Sequence, residues 1–162
     1  MTFHSCCFTG HRTLTPAVKG ALTEILDRRL AALCEVGFTE FCTGGALGFD
    51  TLAAQRVIQL KKTHPQCRLR LVLPCRDQDR YWSAPDKAAF AEILRHADTV
   101  EYLRDAYTPD CMHARNRALV DESDLCLAYL APGKKGGTYY TCTYAISKGV
   151  RLINLHDELP QG

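Results

Sequence analysis

Hydrophobic positions along the chain follow two periods, and the switches between them mark out eleven segments. Short, nearly unbroken apolar runs occur at SCCFTG (5–10), FTEFCT (38–43), CRLRLVLPC (67–75), TVEYL (99–103), DLCLAYLA (124–131) and VRLINL (150–155). Runs of that length and composition predict buried strands. The intervals between them read as helices. From Pro16 to Val36, Val18, Leu22, Ile25, Leu26, Leu30 and Leu33 keep to one helical face. Thr15 and Pro16 supply an N-cap and a first-turn proline, and Gly37 supplies a stop. Helical spacing returns at 49–62, 86–97, 110–123 and 137–149, the last ending at Gly149. Strands that alternate with helices across short links predict a parallel sheet of six strands covered on both faces, a Rossmann-like α/β/α fold. The tail HDELPQG is expected to fray.

Composition narrows the class. The 162 residues are expected to form a single domain with a core of its own, and 46% of them are apolar. Lys and Arg number 20 against 18 Asp and Glu, a balance that gives no case for a nucleic-acid or anionic-membrane partner. No apolar stretch is long enough to cross a bilayer, and MTFHSCCFTGHR lacks the charge and apolar pattern of a signal peptide, so a cytoplasmic location is expected. The nine cysteines form no C-x-x-C pair and no zinc-ligand spacing. No disulfide framework and no metal are expected, and most of these thiols read as small buried hydrophobes. Cys75 and Cys111, near predicted loops, are the exceptions expected to be reactive.

In an open parallel sheet, ligands bind beyond the carboxyl ends of the strands. Four such ends carry chemistry here: TGHR (9–12), TGGALG (43–48), PCRDQDRYW (74–82) and APGKKGGT (131–138). Gly44, Gly45 and Gly48 precede a helix whose first amides and dipole favour an anion. Asp50, in that helix's first turn, is either a helix-capping acid or a ligand contact. Gly136 and Gly137 precede Thr138 and repeat the arrangement, with Lys134 and Lys135 either solvated or adding charge. After the first strand come Thr9, Gly10, His11 and Arg12, of which Arg12 can clamp a phosphate. Trp82 can stack on a base or plug the surface. Arg115 and Arg117 point about 200° apart on one helix, so one faces the site and the other faces solvent or an acid such as Asp121. The expectation is that main-chain amides at the two glycine turns meet at one rim and hold an anionic ligand.

TGGALGFD resembles the S-G-x-A-x-G-x-D signature of the DNA-processing protein A family, and RNRALVDESD resembles that family's R-N-R-x-x-x-x-x-S-D stretch. The latter is also similar to the helix that precedes P-G-G-x-G-T in the Lonely Guy phosphoribohydrolases. With FTGHR, DQDRYW and GGTYYTCTYA, the whole most resembles the small bacterial YpsA-like branch of the SLOG superfamily. The resemblance implies a nucleotide or nucleotide-derived ligand, ADP-ribose included, and no required cofactor. It places the binding on Gly44, Gly45, Gly48 and Arg115, together with Gly136, Gly137 and Thr138; Ala46 and Asn116, within the same stretches, are further candidate contacts. It also implies two copies paired through helices flanking the site. One departure bears on chemistry: the phosphoribohydrolase pattern P-G-G-x-G-T-x-x-E ends in a glutamate, and Thr141 stands there. A sensor without chemistry is therefore expected. The alternative is an N-glycosidic bond hydrolase whose acid has moved to Asp50, Asp77 or Asp79.

Overall fold

The computed structural model describes residues 4–161. Its elements run β1 (Ser5–Gly10), α1 (Pro16–Glu35), β2 (Glu40–Thr43), α2 (Phe49–Thr63), β3 (Arg68–Cys75) and α3 (Ala84–His96). They continue with β4 (Thr99–Arg104), α4 (Cys111–Asp121), β5 (Leu125–Tyr129), α5 (Gly137–Ser147) and β6 (Arg151–Asn154). The six strands form one parallel sheet in the order β4-β3-β2-β1-β5-β6. This is the predicted Rossmann-like three-layer fold.

The layers follow from the alternation of side chains along each strand. Cys6 and Phe8 of β1 point to one face, where Phe41, Leu69, Leu71 and Leu127 join them against α1, α2 and α3. Cys7 points to the other face, beside Cys42 and Cys126, its register partners on the neighbouring strands. There Leu119 and Val120 of α4 and Ala145 of α5 close the layer. The first core is the larger, and Phe8, Phe41 and Phe49 are fully buried in it. Truncating such a ring to alanine costs about 3–5 kcal/mol.

The helix signals act as read. The Thr15 hydroxyl accepts from the Val18 N–H at 3.2 Å, and α1 buries Leu22, Ile25, Leu26 and Leu30. One expectation fails. The tail does not fray at once: Leu155–Glu158 forms a 3₁₀ turn, Leu159 packs against the core, and Arg29 reaches Glu158 at 2.8 Å. An apolar anchor and an ion pair to α1 hold a segment that looks merely polar in sequence. Among the described residues no helix is long and apolar enough to cross a membrane.

Candidate functional site

From β1 the chain builds outward through β2, β3 and β4, then crosses back to lay β5 on the other side of β1. The connections leaving β1 and β5 therefore diverge, and a crevice opens between them. It is a cavity of about 370 Å³, a volume suited to a small ligand. The end of β1 contributes Phe8 through Arg12, and the first glycine turn contributes Ala46. Asp50 comes from α2, while Met112, His113, Arg115 and Asn116 come from α4. Lys135, Gly137 and Thr138 complete the wall from the second turn.

The floor holds a buried charge pair. Asp50 is 5% exposed and Arg115 is 4% exposed. Arg115 donates to the Gly44 carbonyl at 2.5 Å and to Asn116 Oδ1 at 2.8 Å, which braces the first turn from α4. Asp50 Oδ2 accepts from the Ala46 N–H at 3.2 Å. Burial raises the Asp50 carboxyl to about 6, against the opposing pull of Arg115, the Ala46 amide and Arg12. Burial also pulls the Arg115 guanidinium down, with Asp50 resisting. Near neutral pH this floor can hold or release a proton.

The two glycine turns differ in what they offer. In the first, the Gly45 N–H faces Thr43 Oγ1 at 3.5 Å, the Ala46 N–H is taken by Asp50, and the Phe49 N–H binds the His11 carbonyl at 3.0 Å. These three amides have partners within the protein, so the Gly45, Ala46 and Phe49 N–H groups are not the ones that would meet an anion. The buried Asp50 carboxylate takes one of them, at Ala46. The second turn has no side-chain cap on α5, and Gly137 and Thr138 open that helix directly at the cavity. Its first-turn N–H groups have no intrahelical partner.

At the mouth, Arg12 is exposed and makes no ion pair among the described residues; its one polar contact there is Met112 Sδ at 3.9 Å. His11 accepts the Ala131 N–H on Nε2 at 2.9 Å, tying the β1 end to the β5 end. Burial and Lys134 lower its pKa, consistent with a neutral ring in that role. His113 stacks face to face on Tyr140, with centroids 4.2 Å apart and planes at 8°.

The profile described as the YspA SLOG family matches residues 7–151. The chain belongs to that family. It is 30% identical over 155 residues to a UPF0398 protein of Halalkalibacterium halodurans, covering 91% of this chain and 79% of the relative. It is also 30% identical over 155 residues to the uncharacterized SPbeta prophage-derived protein YoqJ of Bacillus subtilis, covering 85% and 90%. Among solved structures, DNA processing protein A (DprA) from Streptococcus pneumoniae superposes with a TM-score of 0.66 at 17% identity. That match covers 93% of this chain and 49% of DprA, so this chain spans about half of DprA's length. TM1055 superposes with a TM-score of 0.57 at 17% identity, covering 93% and 72%. Both likenesses concern the fold.

Within this SLOG chain, the structure brings Thr9, Gly10, Arg12, Ala46, Asp50, Arg115, Asn116, Gly137 and Thr138 to one cavity. Gly44, Gly45, Gly48 and Gly136 belong to the two turns but are not among the residues that line it. Arg117 points away, as the helical spacing requires, and bonds the Tyr140 hydroxyl at 3.0 Å instead of an acid. Trp82 lies outside the cavity, edge-on to Phe90 at 5.3 Å, so it plugs the core beside α3. Thr141 is buried and donates to the Gly137 carbonyl at 2.8 Å, outside the cavity lining. Cys75 and Cys111 are buried, at 1% and 0% exposure, out of reach of a reagent in solvent, the opposite of the reactivity expected of them. Sequence reasoning overlooked Met112 and His113. The signal was present: Met112 lies three and four residues before Arg115 and Asn116, and His113 lies three before Asn116.

Proposed function

We propose that the cavity binds a nucleotide or nucleotide-derived ligand through its phosphate, and that the domain acts as a sensor. The observation that carries this reading is the meeting of an uncapped helix N-terminus at Gly137 and Thr138 with the unpaired Arg12 across one crevice. Amides and guanidinium together recognise phosphate by charge and by directed hydrogen bonds. The flat His113–Tyr140 pair at the rim supplies a surface on which a base can stack. SLOG membership and the Rossmann-like switch point agree with such a ligand. A thermal melt against AMP, IMP and ADP-ribose tests it. A ligand at a hundredfold over its Kd raises stability by about 2.7 kcal/mol. No shift with any nucleotide or with ribose 5-phosphate removes the proposal.

A second reading, hydrolysis of a nucleotide N-glycosidic bond, draws support from Asp50. It is a buried carboxyl on the cavity wall, raised to about 6, where proton donation near neutral pH is efficient. Free base released from AMP or ADP-ribose, and lost in Asp50→Asn, supports the enzyme. Binding without release supports the sensor.

A further inference from the structure

Away from the cavity, one pair of thiols stands apart from the rest. Cys34 lies on the last turn of α1, Cys67 lies just before β3, and their sulfurs are 2.8 Å apart. An S–S bond is about 2.05 Å long, so a closure of about 0.75 Å joins them. Cys34 is half-buried and reachable from solvent, whereas Cys67 is 1% exposed and faces Cys34 from below. The other seven cysteines are all buried. Cys6, Cys7, Cys42 and Cys126 sit in the central strands and Cys142 in the helix above them, where no oxidant arrives without unfolding.

We propose that Cys34 and Cys67 are an oxidisable dithiol, a modification site at which a hydroperoxide forms an intramolecular disulfide. Cys34 reacts first because it is the accessible sulfur. Its thiolate attacks the peroxide, the O–O bond breaks, an alcohol leaves (water, for hydrogen peroxide), and Cys34 becomes a sulfenic acid. The Cys67 sulfur then attacks the Cys34 sulfur, the S–O bond breaks, and water leaves. The net change is two thiols and one hydroperoxide to one disulfide, one alcohol and one water, with the peroxide taking both electrons. Burial and the neighbouring Cys67 push the Cys34 thiol up to about 12, so its thiolate is scarce at neutral pH and the first step is slow.

The bridge has a definite structural effect. It closes the segment from Cys34 to Cys67, which contains β2, the first glycine turn and all of α2. That unit carries Ala46 and Asp50 to the cavity. Oxidation therefore clamps one wall of the site from outside it.

The test is peptide mapping of the full chain after overnight exposure to hydrogen peroxide, digested without reductant. The expected product joins the peptides holding Cys34 and Cys67, is lighter by two hydrogens than their sum, and disappears on reduction. Cys34→Ser and Cys67→Ser both lack it, and Cys67→Ser accumulates a dimedone-reactive sulfenic acid at Cys34. The oxidised wild type melts at a higher temperature than the reduced form, and Cys34→Ser, whose site is partly exposed, shows no such rise. Dimedone labelling of wild-type Cys34 without the linked peptide overturns the proposal. So does a peptide linked through other cysteines, or no linkage at all. An unchanged or lower melting temperature in the linked protein overturns the clamp.

Discussion

The two glycine turns look alike in sequence and do opposite work. At the first, neighbours crowd the backbone. A Cβ on Gly44 would collide with the Arg115 guanidinium, one on Gly45 would meet Leu73, and one on Gly48 would strike the carbonyls of His11 and Arg12. At the second, a Cβ on Gly136 would meet nothing within 4 Å, and one on Gly137 would only graze Asn116. The first turn is glycine-rich so that α4 and the β1 end can press against it. The second leaves its backbone uncovered beside a cavity. A glycine cluster before a helix thus signals close approach, and only the neighbours decide whether protein or ligand does the approaching.

Substitution of one glycine from each turn sharpens that contrast most. Gly48 has φ 77° and Gly136 has φ 116°, so alanine is strained at both. Gly48→Ala adds a backbone collision and is expected to cost about 3–5 kcal/mol. Gly136→Ala has open space around it and is expected to cost about 1–2 kcal/mol. Denaturant melts of the two variants measure the difference, and equal losses would break the comparison.

The next largest effect separates the arginines of α4. Arg115→Ala leaves Asp50 buried without its counter-charge and removes the brace on Gly44, a loss of about 3 kcal/mol. It also abolishes the thermal shift produced by a nucleotide. Arg117→Ala removes a part-buried contact to the Tyr140 hydroxyl, at the outer edge of the stacking pair and away from the floor, and largely spares the melting temperature and the nucleotide shift. Equal loss of the shift in both variants would place the ligand elsewhere.

The smallest effect concerns Asp50 and the acid floor of the first turn. Its carboxyl titrates near 6 against an ordinary 3.8, so it is charged at pH 7.5 and largely neutral at pH 5. Loss of that negative charge favours an anion in the same cavity. Sulfate, whose own charge is constant over this range, is expected to bind on the order of tenfold tighter at pH 5 than at pH 7.5. Calorimetric titration reads this, and Asp50→Asn should make the profile shallower, since His11 and His113 also line the cavity. A wild-type profile that is already flat would remove Asp50 from the ligand's surroundings.

Much of the architecture was legible because strand and helix periods are backbone properties. The six strands, the five helices and the opposed directions of Arg115 and Arg117 all follow from spacing. What escaped depends on contacts between distant residues. Trp82 carries the same sequence signature whether it meets a base or Phe90. The polar tail conceals an anchor, since Leu159 matters only through what it packs on. The Ala46 amide of the first turn looks available until Asp50, four residues on, folds back onto it. Cys75 and Cys111 border loops in sequence and are still buried in space.

The strand order has a consequence for how the protein comes into being. β1 is flanked by β2, made soon after it, and by β5, made only after three strands (β2, β3 and β4) and four helices (α1 to α4) have been completed. A growing chain that ends at β4 presents β1 as a bare, thiol-rich edge open to unwanted pairing. The crevice does not exist in that chain, because its opposite wall begins at Lys135. A ligand of the kind proposed above, supplied during translation, is therefore expected to stabilise only chains already extended past Thr138, the last residue that lines the cavity.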